Sequence, residues 1–369
     1  MTGFTLGSPF GEVWRVRALY FAGHGEPEKL TFGSRPDPRP GSDEVVVRLR
    51  ASALNHLDLF VLRGLPGVPV ELPHVGGADG AGTVEAVGDG VEGWSSGDEV
   101  VLNPGLWCGT CEACRRGEEC LCPEFRLLGE HVDGTLAEYV RVPAVSLAPK
   151  PAHLSWEEGA AFGLTYLTAW RMLASRAALK GGESVLIHGI GGGVALAALT
   201  LAKRAGATVF VTSSSDAKLA RAREMGADHA INYASADVAR EIRRLTDKRG
   251  VDVVVETVGE ATWMSSLRCA AKGGRIVTCG ATSGPNPSEE IRLIFWNQLS
   301  ILGSTMGNRR EWAAMVSEVE AGRLKPVIDG VFPLSEGRRA YERMAGGAQF
   351  GKIVLDNWAG GGARESAGA

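Results

Sequence analysis

The sequence predicts an α/β protein in which a β-rich domain is joined to a second domain with a doubly wound parallel sheet. Its 369 residues are enough for two domains, and 44% of them are hydrophobic, as in globular proteins. Short apolar runs separated by turns fill the chain before about residue 150, and strands alternate with helices after it. This change of pattern predicts a domain boundary near residue 160.

Composition and charge exclude several classes of protein. The formal net charge is −4 and no cluster of basic residues stands out, which argues against a nucleic-acid-binding protein. The most apolar stretch, residues 194–202, stops at Lys203 and is too short to span a membrane. Residues 1–12 lack the basic and apolar segments of a signal peptide, so we expect a cytoplasmic protein.

The first part of the chain has the pattern of a compact, barrel-like β domain. Residues 45–50 (VVVRLR) and 80–88 (GAGTVEAVG) each predict a strand, and residues 36–41 (PDPRPG) predict a turn. Glycine-containing segments at 1–13 and 357–369 predict loose tails.

The second part begins with a helix signal, since Ser155 and Glu158 have the spacing of a capping box and residues 156–173 have helical apolar spacing. The predicted strands that follow are 185–187, 209–211, 230–231, 251–255, 275–279 and 301–302, and the predicted helices are 194–205, 217–225, 238–245 and 262–271. This order predicts a parallel, doubly wound sheet. After about residue 308, a helix at 310–321 and a last strand pair predict a return to the first domain.

The first strand–helix turn of the second domain reads HGIGGGVA over residues 188–195. Glycines in such a turn let the backbone approach a pyrophosphate at the helix N-terminus. Val194 stands where a strict G-x-G-x-x-G motif has glycine, so the spacing Gly189-x-x-Gly192-x-x-Ala195 fits better. We expect a dinucleotide to contact Gly189, Gly192, Gly193 and Val194.

The end of the second strand indicates which nucleotide binds. An NAD site places a carboxylate there for the ribose hydroxyls, whereas this chain has the hydroxyls of Ser213, Ser214 and Ser215, with Lys218 one turn later. Hydroxyls and a cation suit a 2′-phosphate, and the competing carboxylate of Asp216 lies beyond the strand end. The sequence therefore favours NADPH over NADH.

Five of the seven cysteines fall within fifteen residues, which indicates a metal site rather than a disulfide framework. Four of them have the spacing C-x2-C-x2-C-x7-C: Cys108, Cys111, Cys114 and Cys122. Four thiolates select zinc or an iron–sulfur cluster and leave no open coordination position. We predict one structural zinc per chain, with Cys120 as a bystander.

These motifs together resemble the medium-chain dehydrogenase/reductase family, the superfamily of zinc alcohol dehydrogenases and quinone oxidoreductases. The resemblance implies a GroES-like catalytic domain at 14–160 and 309–356, with the zinc lobe at 103–125. It also implies a Rossmann NADP-binding domain at 161–308. A homodimer or homotetramer is implied as well, with two Rossmann sheets joined edge to edge near residues 293–302.

The sequence departs from the zinc alcohol dehydrogenases at their catalytic zinc. By the resemblance, Asn55, Ala78 and Leu164 occupy the positions of the cysteine, the histidine and the third ligand. Asn55 followed by Asp58 is similar to the quinone oxidoreductase and enoyl reductase branch. The resemblance therefore implies a protein that keeps the structural zinc and has lost the catalytic one.

The resemblance also implies positions for several further residues around the cofactor. His56 is expected near the pyrophosphate, Thr168 near the nicotinamide, and Lys218 with Tyr233 beside the 2′-phosphate. Gly280, Gly303 and Ser304 are expected on loops that line the cofactor.

Without a metal Lewis acid, reduction of an activated C=C bond or a quinone is easier than oxidation of an alcohol. We expect NADPH-dependent reduction of an enone, enoyl thioester or quinone, with the Asn55 amide as a donor to the developing oxyanion. His56 is a candidate proton donor, a cofactor contact or a structural histidine. Asp58 fits a buried orienting group better than a base.

Two alternatives remain open from the sequence. The first is an NAD(P)-dependent alcohol or aldehyde dehydrogenase that uses either no catalytic metal or a non-standard site built from His56, Asp58, Asp79 and His131. The second is a binding protein without enzymatic activity, which takes up NADPH and reduces no acceptor.

Overall fold

The computed structural model describes residues 15–358, so the predicted tail at 1–13 and residues 359–369 of the predicted tail at 357–369 lie outside the described residues. The prediction of a loose tail is wrong at Asn357 and Trp358. Asn357 is buried and its Nδ2 donates to the Ala137 carbonyl at 2.6 Å, while Trp358 Nε1 donates to the Leu49 carbonyl at 2.5 Å. The predicted α/β architecture is confirmed: a β-rich domain is combined with a domain built on a six-stranded parallel sheet. Within residues 15–358, no helix is long and apolar enough to cross a membrane.

Between residues 15 and 150 the structure has ten strands: β1 (Arg15–Phe21), β2 (Leu30–Pro36), β3 (Glu44–Ala53), β4 (His74–Val75), β5 (Asp79–Val87), β6 (Glu99–Leu102), β7 (Gly105–Leu106), β8 (Arg126–Leu127), β9 (Tyr139–Pro143) and β10 (Leu147–Pro149). The order β2-β1-β4 forms a small sheet, and β3 lies inside a larger one between β5 and β9. The predicted strands 45–50 and 80–88 are therefore confirmed as the paired strands β3 and β5.

Two helices interrupt this β domain, namely α1 (His56–Arg63) and α2 (Glu112–Arg115). Helix α1 follows β3 directly, so the predicted site residues 55–58 lie at the junction of a strand and a helix. Helix α2 lies in the cysteine lobe, which the β7–β8 pair closes.

The predicted helix at 156–173 is interrupted in the structure. Helix α3 (Trp156–Ala160) starts at the predicted capping box, and α4 (Gly163–Trp170) follows after a break and continues into a π-helical turn, Arg171–Arg176. Phe162 fills the break with a fully buried ring that stacks on Trp312. The new helix start leaves the Leu164 N–H free of the helix, and it donates to Asp79 Oδ1 at 2.6 Å.

The second domain alternates strands and helices as predicted. Its elements are β11 (Ser184–Ile187), α5 (Gly193–Arg204), β12 (Thr208–Ser213), α6 (Asp216–Glu224), β13 (His229–Asn232), α7 (Val238–Leu245), β14 (Val251–Glu256), α8 (Trp263–Cys269), β15 (Ala270–Thr278), α9 (Ile291–Asn297) and β16 (Ser300–Gly303). All pairs in the order β13-β12-β11-β14-β15-β16 are parallel. The helix predicted to reach residue 271 ends at Cys269, because Ala270 already pairs with Val251.

The chain then returns to the first domain through α10 (Arg309–Glu320), β17 (Ile328–Pro333), α11 (Gly337–Ala345) and β18 (Lys352–Asp356). Strand β18 pairs antiparallel with β3, with Val354 opposite Ala53. This pairing brings Lys352, near the C-terminus, beside the residues that follow β3.

Candidate functional site

The four predicted zinc cysteines meet in one cluster. The Sγ atoms of Cys108, Cys111, Cys114 and Cys122 all lie within 4.8 Å of one another. Backbone N–H groups donate to these sulfurs, among them Cys111 N–H to Cys108 Sγ at 3.3 Å and Glu124 N–H to Cys122 Sγ at 3.3 Å. The donor set and its hydrogen bonds fit a tetrahedral metal site.

The four thiols cannot all ionise easily by themselves. Backbone hydrogen bonds from Thr110 and Cys111 lower the pKa of Cys108 to about 6, whereas burial and its thiol neighbours raise the pKa of Cys114 to about 12. A bound divalent cation favours the thiolate form of every ligand. The lobe therefore has the chemistry of a structural zinc site.

The glycine turn between β11 and α5 forms a cradle for a phosphate group. Gly189 and Gly191 have φ of +65° and +118°, which only glycine adopts easily. A Cβ on Gly193 would lie 2.7 Å from Thr165 Cγ2 and 3.1 Å from Lys352 Cδ, so the backbone surface must stay bare. Two buried polar atoms at this turn, Thr165 Oγ1 and Gln349 Oε1, have no hydrogen-bond partner among residues 15–358. This arrangement fits a dinucleotide pyrophosphate.

The predicted 2′-phosphate residues lie together at the end of β12. Ser215 caps α6, its N–H donates to Ser213 Oγ at 3.1 Å, and Tyr233 N–H donates to the Ser213 carbonyl at 3.1 Å. Lys218 Nζ reaches across to the carbonyl of Gly347 at 2.6 Å, and burial lowers the pKa of Lys218. Ser214, between the two other serines, is exposed.

The carboxylate of Asp216 does not face this group of hydroxyls. It accepts a hydrogen bond from Asn232 Nδ2 at 2.7 Å on the neighbouring strand. Its side chain is therefore engaged elsewhere, which removes the main objection to a 2′-phosphate beside Lys218.

A buried ionic cluster includes Asn55, which by the resemblance stands at the position of the cysteine ligand of the catalytic zinc. Lys352 Nζ donates to Asn55 Oδ1 at 2.5 Å and to Asp79 Oδ2 at 2.8 Å, and the lysine side chain is only 4% exposed. Asn55 Nδ2 donates to Asp79 Oδ2 at 3.0 Å and to the Ala53 carbonyl at 3.4 Å. We call Asn55, Asp79 and Lys352 the interdomain centre, because the Leu164 N–H from α4 completes it.

Asp58 holds the backbone on both sides of this centre. Its carboxylate accepts the N–H of Asn55 at 2.7 Å and the N–H of Gly77 at 2.9 Å, so it fixes the backbone at both ends of the site. Burial raises the pKa of Asp58 to about 6 in spite of these hydrogen bonds.

His56 lies beside the centre at the first residue of α1. Burial, followed by the charges of Lys352, Arg63 and Lys218, lowers the pKa of His56, so the imidazole is neutral at pH 7. Its ring has no hydrogen-bond partner in the described part of the chain, so both nitrogens remain available to a ligand.

Most of the remaining predicted cofactor residues lie near the carboxyl ends of the parallel strands. Thr168 Oγ1 donates to the Leu164 carbonyl at 2.7 Å and lies 3.7 Å from Met306 Sδ. Gly280 follows β15, Gly303 ends β16 and Ser304 follows it, while Val194 lies in the first turn of α5. Ser304 Oγ is buried without a partner among the residues described.

The structure does not bring together the residues of the alternative, non-standard metal site. Among residues 15–358, the four cysteines are the one group of His, Cys, Asp or Glu that has metal-site proximity. His131 Nδ1 instead accepts the N–H of Leu127 at 3.1 Å in its own loop. His56, Asp58, Asp79 and His131 therefore do not form a ligand set.

Lys352 and the Leu164 backbone are the parts of the site that sequence reasoning missed. The sequence signal for Lys352 is a single lysine at the start of an apolar strand, which by itself predicts a solvated strand end. Its burial depends on the pairing of β18 with β3, and the pairing partners are about 300 positions apart in the chain.

Comparisons with known proteins agree with this architecture. The model of the alcohol dehydrogenase GroES-like domain matches residues 41–152, and the model of the zinc-binding dehydrogenase family matches residues 193–321. A zinc-type alcohol dehydrogenase-like protein of Schizosaccharomyces pombe is 38% identical over 337 residues, which cover 89% of this chain and 94% of the relative.

Two further relatives carry different activities in their names. The acryloyl-coenzyme A reductase of Metallosphaera sedula is 34% identical over 327 residues, covering 86% of this chain and 94% of the relative. A crystal structure of an NAD-dependent alcohol dehydrogenase is 47% identical with a TM-score of 0.88, covering 92% of this chain and 99% of that chain. Reductases and dehydrogenases are therefore both similar to this chain.

Proposed function

The chain belongs to the zinc-type medium-chain dehydrogenase/reductase family of oxidoreductases, and we propose that it reduces an activated C=C bond or a quinone with NADPH, without a catalytic zinc. The observation that carries this proposal is the interdomain centre. Its donor set is an amide, one carboxylate and an ammonium group, and the ammonium already neutralises the carboxylate.

The chemistry of such a reduction suits an ammonium group. Bound NADPH supplies a hydride for the β-carbon of an enone or enoyl thioester, and negative charge then develops on the carbonyl oxygen. The ammonium group of Lys352 has three N–H donors, and two of them are used by Asn55 and Asp79 in the described structure. One N–H therefore remains for that oxygen. The expectation that the Asn55 amide donates to this oxygen is corrected: both of its amide protons already have acceptors, on Ala53 and Asp79, so we assign Asn55 to the orientation of Lys352.

In this proposal the one proton that completes the reduction, at the α-carbon of an enone or enoyl thioester, comes from water rather than from a side chain. A neutral imidazole with a lowered pKa is a poor acid and a good hydrogen-bond partner, so we assign His56 to contact with the cofactor. Asp58 orients the backbone at Asn55 and Gly77.

The cofactor preference rests on the end of β12. Lys218 and the hydroxyls of Ser213 and Ser215 offer donors to a 2′-phosphate, and Asp216 is turned toward Asn232. Because a similar solved structure is an NAD-dependent enzyme, the preference for NADPH is the part of the proposal to test first.

The activity is tested with a panel of enones, enoyl thioesters, quinones and simple alcohols, each with both nucleotides. We expect oxidation of NADPH with at least one activated alkene or quinone, and the same rate after treatment with a chelator that spares the cysteine lobe. Turnover of simple alcohols that this chelator abolishes would instead support a dehydrogenase with a second metal.

The variant Lys218→Ala tests the nucleotide preference. We expect it to weaken NADPH binding more than NADH binding by roughly 1.5–3 kcal/mol, because a hydrogen bond to a charged group is lost. Direct titration of the two nucleotides measures the difference, with Arg223→Ala on the same helix as the matched cation control. Equal effects of Lys218→Ala on both nucleotides would contradict the contact.

We also propose that two copies associate across the free edge of the parallel sheet. Strand β16 ends the sheet in the described structure, and the apolar side chains of Ile291, Phe295 and Trp296 on α9 are 61–72% exposed beside it. An unpaired edge next to exposed aromatic rings is typical of a self-complementary interface.

This interface predicts a change of mass on a single substitution. Trp296→Glu is expected to convert an assembled protein into a smaller species in sedimentation velocity, since it buries a charge between the copies. Val145→Glu, at an exposed valine in the other domain, is the control and should leave the mass unchanged. A wild-type protein that sediments as a monomer would overturn the proposal.

A further inference from the structure

A line of buried hydrogen bonds joins the carboxyl ends of three strands in the parallel sheet, outside the interdomain centre. Its members are His188 after β11, Thr212 in β12, Glu256 at the end of β14 and Ser266 in α8. Each of the four is at most 2% exposed. We call them the buried relay.

The hydrogen bonds of the relay have one direction. Ser266 Oγ donates its single proton to Glu256 Oε2 at 2.5 Å, so it must accept from His188 Nε2 at 3.0 Å. Since Nε2 carries the imidazole proton, Nδ1 is an acceptor and takes the hydroxyl proton of Thr212 at 3.3 Å. The carboxylate thus fixes the tautomer of His188.

Both ends of the relay hold the backbone of a loop. Thr212 Oγ1 accepts the N–H of Gly189 at 3.3 Å, in the glycine turn. Glu256 Oε1 accepts the N–H groups of Val258 at 2.8 Å and Gly259 at 3.0 Å, in the loop after β14.

The two loops held in this way lie close together. A Cβ on Gly189 would lie 3.6 Å from Val258 Cγ2, and Gly189 needs its left-handed φ of +65°. Burial lowers the pKa of His188, so the neutral imidazole that this directionality requires is also the stable form at pH 7.

We infer that His188, Ser266 and Glu256 are positioning residues for the nicotinamide cofactor, because they hold the Gly189 turn in its phosphate-accepting conformation against the loop after β14. The inference rests on the nicotinamide cofactor of the family and on neither the NADPH preference nor the substrate. The side chains of His188, Ser266 and Glu256 make no hydrogen bond to a predicted 2′-phosphate residue, so we expect them to act equally on both nucleotides.

The variant Ser266→Ala breaks the relay at its centre and leaves Glu256 with Thr262 and two backbone donors. We expect the Kd of NADH and of NADPH, measured by calorimetry, to rise by the same factor of about three to ten. The ratio of the two Kd values and kcat at saturating cofactor should not change.

Ser52→Ala is the matched control. Ser52 is also fully buried, donates one hydrogen bond to the Thr135 carbonyl at 2.5 Å and accepts one from Asn357 Nδ2 at 3.0 Å. It should lower the melting temperature as much as Ser266→Ala while leaving both Kd values unchanged. A Ser266→Ala protein with lowered stability and wild-type Kd values would reduce the relay to a structural role and overturn the inference.

A second measurement needs no relay variant that folds. In wild-type protein with isotope-labelled histidine, ring carbon and nitrogen shifts should show His188 as the neutral Nε2–H tautomer at pH 7. The Nδ1–H tautomer or an imidazolium would overturn the assigned direction. Neither outcome bears on the substrate panel or on Lys218→Ala, so failure here is distinguishable from failure of the proposed function.

Discussion

The cysteine lobe and the interdomain centre solve the same problem, the holding of concentrated negative charge, in opposite ways. The lobe takes its four sulfurs from one stretch of fifteen residues, and three of the four cysteines are partly exposed. The centre takes its members from β3–α1, β5, α4 and β18, and Lys352 bonds a residue 297 positions away. The lobe therefore depends on a cation from outside, whereas the centre contains a cation of its own.

This difference bears on the proposal that the chain has a structural zinc and no catalytic zinc. By the resemblance, Asn55, Ala78 and Leu164 stand at the ligand positions of the catalytic zinc. The buried Asp79 carboxylate is paired with Lys352, which the pairing of β18 with β3 brings to it. We therefore predict that removing the cation of either region lowers the free energy of unfolding of the protein.

The largest effect is expected from Cys111→Ser in the lobe. The wild-type protein should contain one zinc per chain by elemental analysis, and the variant should lose it, because structural zinc contributes folding free energy. The loss of unfolding free energy should be on the order of 5 kcal/mol, in the range that loss of a metal reaches. Cys120→Ser, at the thiol outside the cluster, should change neither quantity. Unchanged melting of Cys111→Ser would refute the structural role, and two zincs per chain in the wild type would remove the contrast between the regions.

The second largest effect is expected from Lys352→Met in the interdomain centre. It leaves the buried Asp79 carboxylate without its cation, which costs about 3–5 kcal/mol in denaturant unfolding. The double variant Lys352→Met/Asp79→Asn should recover most of this loss, because no charge remains uncompensated. Arg292→Met, in the exposed pair with Glu290, should cost at most about 1 kcal/mol. Additive losses in the double variant would mean that Lys352 and Asp79 are not coupled.

The smallest effect is expected from the pH dependence of Asp58. Its pKa is about 6 in the folded protein and 3.8 in the unfolded reference, so the folded state binds the proton more tightly. The contribution of Asp58 to stability is therefore present below pH 4 and falls as pH rises to about 6, by roughly 2–3 kcal/mol.

Asp58→Asn removes this titration and sharpens the comparison. The variant should be more destabilised relative to wild type at pH 4.5 than at pH 7.5 in denaturant unfolding. Asp89→Asn, at an exposed aspartate, is the control and should show no such difference. A pH-independent effect of Asp58→Asn would mean that the carboxyl group is ionised throughout this range.

Sequence reasoning alone reached the features that depend on local spacing. The cysteine lobe, the glycine turn and the strand–helix alternation each lie within a few dozen residues, where periodicity and turn chemistry fix the geometry. The same reasoning identified Asn55 and Asp58 as departures from a zinc site, but only as single positions.

The tertiary structure decided what depends on pairing between distant segments. The burial of Lys352 follows from the β18–β3 register. The Leu164 N–H can donate to Asp79 because the helix is broken at the buried ring of Phe162. The relay from His188 to Glu256 likewise requires the carboxyl ends of three strands to lie side by side in the sheet. The physical reason is that a buried polar group is defined by its partners, and these partners are neighbours in space rather than in the chain.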